Sequence, residues 1–100
     1  MIAYNKNGEI ISTQEAANLF EDKNYKTIKQ ENVGKYFIST VWLGFDHGFG
    51  RATPLIFETM VFERLKDGTI NYRDLDMERY ATEEQAIAGH KKMVKKWSKK

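Results

Sequence analysis

The sequence predicts an α+β domain, with an antiparallel β-sheet of three to five strands, a C-terminal helix packed on one face and a short N-terminal helix. Three observations carry this. Two long central runs, Lys35–Phe45 and Leu55–Leu65, are dense in aromatic and β-branched residues that suit a pleated, half-buried surface. Turn chemistry at Lys66-Asp-Gly-Thr69 folds the second run back onto a following strand. Ser12 with Glu15, and Thr82 with Gln85, stand at the spacing of a capping box and mark two helix starts.

Taken in order, Ile2–Tyr4 and Glu9–Ile11 flank the turn-rich Asn5-Lys-Asn-Gly8 and suit a short hairpin. Ala16, Leu19 and Phe20 recur at i, i+3, i+4 and predict a helix over 13–22 that ends near Lys23-Asn24. Tyr25–Val33 predicts a strand, which Gly34 punctuates. In Lys35–Phe45 apolar residues fall at both parities, so this strand is expected in the middle of the sheet. In Leu55–Leu65, Leu55, Phe57, Thr59 and Val61 share one face, and Ile56, Glu58, Met60 and Phe62 the other. Ile70 and Tyr72 begin the return strand, Arg73-Asp-Leu-Asp76 breaks its alternation as a bulge or a wide hairpin tip would, and Met77–Ala81 resumes it. A helix over 83–98 follows, with Ala86, Ile87, Met93, Val94 and Trp97 as its apolar stripe and His90 in the middle. Trp42 and Trp97 are both expected in or beside the core.

A chain of 100 residues without repeats or a linker reads as one domain, residues 1–100. Its 41% apolar residues and 13% aromatics suffice for one thin core. With no cysteine there is no disulfide framework and no thiolate chemistry. No signal peptide is expected from the first residues, and no apolar run approaches the roughly 20 residues that span a bilayer. Six lysines in the last ten residues set a basic end against a body that, once they are removed from the net +2, carries −4. They read as a solvated helix face, and nucleic acid is not an expected partner.

Asp46-His47-Gly48-Phe49-Gly50 is the most unusual local feature. It places a carboxylate and an imidazole beside Trp42, Phe45 and Phe49, with Arg51 just beyond. A metal, phosphate or general-base site fits these residue types. So does a loop shaped by glycine, in which Asp46 bonds backbone amides while His47 and Phe49 face a partner. Glu58, alone in an otherwise uncharged strand, needs a partner if covered, with Arg51, Arg79 and His90 as candidates. His90, on the apolar stripe, suits a core-edge residue bonded to a sheet group. No spacing matches a zinc site, no nucleophile, phosphate-loop or metalloprotease signature is present, and no cofactor is expected.

Ile38-Ser-Thr-Val-Trp-Leu-Gly-Phe-Asp-His47, Pro54-Leu-Ile-Phe-Glu-Thr-Met-Val-Phe62, Glu78-Arg-Tyr-Ala-Thr82 and Ala88-Gly-His90 resemble a family of short bacteriophage and prophage proteins. Phe20-Glu-Asp22 with Tyr25-Lys26 is similar to that family's leading segment, whereas Arg64–Asp76 and the lysine tail are particular to this chain. The resemblance implies a phage origin and a host-cytoplasmic setting, and carries no activity. The reading is a non-enzymatic phage accessory protein that binds a macromolecule, either a host or phage protein or a second copy of itself. Inhibition of a host defence system is one such role. The rival is a small-molecule or nucleotide-binding protein, or a metal-assisted enzyme, using Asp46, His47, Glu58 and His90.

Overall fold

A computed structural model describes residues 2–47 and 53–100. The chain forms β1 (Ala3–Tyr4), β2 (Ile10–Ile11), α1 (Thr13–Glu21), α2 (Lys23–Lys26), β3 (Thr27–Val33), β4 (Tyr36–Trp42), β5 (Phe57–Arg64), β6 (Ile70–Tyr80) and α3 (Glu83–Trp97). β3 to β6 make a four-stranded antiparallel meander in chain order, and β1 and β2 pair as a separate hairpin. No helix among the described residues is long and apolar enough to cross a membrane.

The helix starts lie where the sequence puts them. Ser12 Oγ accepts from Glu15 N, and Thr82 and Gln85 close a complete capping box. Several strand bounds differ. The strand expected from Tyr25 begins at Thr27, because Asp22 accepts hydrogen bonds from Asn24 N and Tyr25 N and starts a second helical turn, α2. That turn aims the Tyr25 ring edge-on at Trp42, with centroids 5.1 Å apart. The strand run that opens at Lys35 stops at Trp42, since Gly44 takes a left-handed φ of +83° against the Trp42 ring. Tyr4 N then donates to Gly44 O and the Trp42 indole N–H to Tyr4 O, which docks the β1–β2 hairpin on the end of β4.

α3 lies across one face of the sheet, on which the inward residues form three rows. Trp42, Phe57 and Ala86, joined by Ile56 just before β5, form one apolar cluster. Ile38, Val61 and Met93 form another. Between them lies a row of polar residues, Thr40, Thr59 and His90, all buried. Trp97 packs edge-on against Tyr36 beside the second cluster, so both tryptophans lie in or beside the core. Ile87, expected on the stripe, is 44% exposed, because Ala86 and His90 already turn the buried side of α3 away from it.

The expected interruption in β6 is a shift of register. Val61 pairs with Asp76 but Glu63 pairs with Asn71, so β6 carries three extra residues across from Phe62. The bulge carries Tyr72 and Leu75 outward, 73% and 47% exposed.

Candidate functional site

The polar row is built by parity. Thr40 in β4 and Thr59 in β5 are cross-strand partners and point at α3, where one turn presents His90 between Ala86 and Met93. Thr40 Oγ1 lies 2.6 Å from His90 Nδ1 and 2.5 Å from Thr59 Oγ1. His90 Nε2 lies 2.8 Å from Glu31 Oε1 on β3, and the Tyr80 hydroxyl on β6 donates to Thr59 Oγ1 at 3.2 Å. All five groups are satisfied at once by a single direction of donation. Tyr80 gives to Thr59, Thr59 to Thr40, Thr40 to His90 Nδ1, and the N–H on Nε2 gives to the Glu31 carboxylate. The layer thus crosses all four strands, from Glu31 at one edge to Tyr80 at the other.

Gly89 makes the last step feasible. The Tyr80 ring rests against this residue so closely that a Cβ there would overlap it. Burial raises the Tyr80 phenol above its ordinary 10.0, and the charges of Glu78 and Asp76 add to this against the opposing hydrogen bond to Thr59. Beside it, a cleft of about 490 Å³ opens between β6 and α3, lined by Asp76, Glu78, Gln85, Lys92 and Met93. Asp76 fastens the lower end, accepting from Lys96 at 2.8 Å and from the Trp97 indole at 2.9 Å. Burial pushes its carboxyl up, but the bonds from Lys96, Trp97 and Met77 N outweigh this and hold it below 3.8.

Glu31, His90 and Thr40 have the order carboxylate, imidazole, hydroxyl that activates a nucleophile in acyl transfer. The surroundings give it a different use. Thr40 and Thr59 have no exposed surface and His90 has 1%. Attack needs a substrate atom about 3–3.5 Å from the hydroxyl, and that space is filled by Thr59 and the ring of His90. The layer ties α3 to the sheet and sets its register.

The other residues singled out from the sequence do not join this layer. Glu58 is on the opposite face of the sheet, 7% exposed, where Arg79 Nε donates to it at 2.9 Å. Asp46 Oδ1 accepts from Leu55 N at 2.9 Å and His47 N donates to Leu55 O at 3.0 Å, so this pair closes the base of the loop through the backbone. His47 is half-buried. Trp42, with no exposed surface, is a core residue. Phe49 and Arg51 lie outside the described residues. Among the described residues no group of three or more His, Asp or Glu is placed to hold a metal ion. Thr40, Thr59, Tyr80 and Glu31 were missed. The two threonines had a signal in the sequence, as polar residues at the buried parity of apolar strands, whereas Glu31 had none.

The face away from α3 has its own order. Strand register sets out three rows across it: Asn32, Phe37 and Phe62; Gln30, Ser39, Met60 and Met77; Val41, Glu58 and Arg79. Tyr72 extends the first row, meeting Phe62 edge-on at 5.3 Å, and Phe37 stacks on Phe62 at 6.4 Å. Met77 is 38% exposed. A shallow groove of about 380 Å³ runs along this face to Lys23 and Lys26 of α2. No family model, curated protein or solved structure matches the chain.

Proposed function

We propose that the chain is a protein-binding module whose docking surface is the sheet face opposite α3, and that it serves as a phage accessory protein in the host cytoplasm. The carrying observation is the continuity of that face. The aromatic row of Phe37 and Phe62 runs outward into exposed Tyr72, and the methionine row into exposed Met77. Aromatic and methionine side chains on an uncovered, rigid sheet are the chemistry of interface cores. The titratable cluster under α3, by contrast, is consumed by its own hydrogen bonds. The phage setting rests on the resemblance of the β4, β5 and β6–α3 segments, and inhibition of a host defence is the role to which we assign the binding.

Tyr72→Ala combined with Met77→Lys tests this. Both positions are exposed, so the variant is expected to fold and to melt within a few degrees of the parent. It is expected to lose its effect in a phage-infection assay against defended hosts. Full activity of the folded variant would move the functional surface to the Asp46-His47 loop.

A further inference from the structure

We infer that the occupant of this face is a second copy of the chain, seated sheet on sheet about a twofold axis that runs across the strands through the Gln30–Met77 row. The inference rests on the docking reading above and names its partner.

Charge points to a like partner. Among the described residues the centre of this face holds one ion pair, Arg79 with Glu58, closed within the chain at 2.9 Å, and the cations Lys23 and Lys26 stand at one end of the groove. Its centre therefore presents no net charge for an unlike partner to match, and an identical face meets it without like-charge conflict. The rows are also complementary to themselves once reversed. An axis across the strands keeps β6 over the second copy's β6 but lays the aromatic row of one copy over the Glu58–Arg79 row of the other. Tyr72, 73% exposed, then receives the guanidinium of the other copy's Arg79, which sits at the opposite end of the same strand. Met77 and Met60 meet their own twins near the axis. Lys23 and Lys26 line the groove at one end of each face, and the reversal sends the two lysine pairs to opposite ends of the interface.

The size is sufficient. Seven-residue strands at about 3.4 Å per residue, four of them about 4.8 Å apart, give a face of roughly 24 by 15–19 Å. Two such faces with protruding side chains bury on the order of 1,000 Å², the threshold for a specific interface. Sheets packed in this way lie about 10 Å apart, a spacing that medium side chains such as Met60 and Val41 fill.

The absence of native cysteine supplies a direct test. Met77→Cys, at the axis, is expected to join two copies through a short bifunctional thiol cross-linker, since sheets about 10 Å apart hold the two sulfurs beyond direct disulfide reach, and Lys91→Cys on the outer side of α3 is expected not to. Sedimentation equilibrium of the unmodified chain should give twice the 11.7 kDa chain mass. Tyr72→Ala and Arg79→Lys should each raise the dimer dissociation constant about tenfold or more, as loss of an interface anchor does. A chain that stays at 11.7 kDa at high micromolar concentration overturns the inference. So does a dimer in which Met77→Cys fails to cross-link, or a monomer whose face binds a single-stranded oligonucleotide instead. The docking reading fails separately: it falls if the folded Tyr72→Ala, Met77→Lys variant keeps its activity on infection, and it stands if a monomeric chain loses activity through that variant.

Discussion

On its α3 side the sheet presents Ile38, Thr40 and Trp42, none with exposed surface; on the other side the same strand presents Phe37, Ser39 and Val41, with Phe37 and Val41 only half-covered. The alternation of one strand serves both. The covered side places polar groups in its interior and satisfies them, from Tyr80 to Glu31, so that α3 has one seat on the sheet. The other side leaves Phe37, Met60 and Met77 partly open to water around a buried Phe62, and closes Glu58 on Arg79 within the chain. Buried hydroxyls and imidazole specify a fold, and half-buried aromatics and methionines remain available to a partner.

Substitutions under α3 should therefore be the costly ones. His90→Ala removes the centre of the layer, opens a cavity and strands Thr40 and Glu31. We expect a loss of about 2–4 kcal/mol in denaturant unfolding. A loss under about 0.5 kcal/mol would mean that the layer does not seat the helix. Gly89→Ala drives a methyl into the Tyr80 ring, and overpacking of this kind costs about 1–3 kcal/mol against a helix-propensity gain of roughly 1. Thr40→Val keeps the volume but leaves His90 Nδ1 without its donor, at an expected cost of about 1–3 kcal/mol. Thr40→Ser, which keeps the hydroxyl, should recover most of it.

Acid should act on the edge of the covered side. The folded-state carboxyl of Asp76 is lowered from 3.8, so its bonds to Lys96 and Trp97 contribute stability that is fully present above that value and is lost as pH falls through the folded one. Thermal unfolding of Asp76→Asn should accordingly lose the part of the parent's acid dependence that lies below about pH 4. If parent and variant show the same acid dependence, Asp76 does not clamp α3 to β6. At the alkaline end, ultraviolet titration should find the Tyr80 phenol ionising above 10.0, and that contribution should vanish in Tyr80→Phe.

The smallest effect on stability belongs to the open side. Tyr72→Ala should change unfolding free energy by less than about 0.5 kcal/mol under conditions where the chain is monomeric. A larger loss there would show the aromatic row to be core in its own right, and would erase the contrast between the two faces.

Much of this was legible from residue order alone, because the signals are local. Capping residues bond within one turn, so Ser12 and Thr82 announce their helices without knowledge of the rest. Side-chain parity has a period of two, so Phe57, Thr59 and Val61 separate from Glu58, Met60 and Phe62 on inspection. Asp46 bonding a backbone amide and His90 bonding a sheet group were likewise readable from their residue types and positions. The pairing of particular groups was not. Asp22 restarts a helix where β propensity favours a strand; its cap on Asn24 N and Tyr25 N is local and was open to reading, whereas the seat that the turn gives Tyr25 on Trp42 is not local. Glu31 reaches His90 across 59 positions of sequence, and only the packing of α3 on β3 brings them within 2.8 Å. The bulge in β6 was visible as a break in alternation, but its direction, which brings Tyr72 against Phe62 and turns a strand edge into part of a surface, is decided by the twist and register of the assembled sheet.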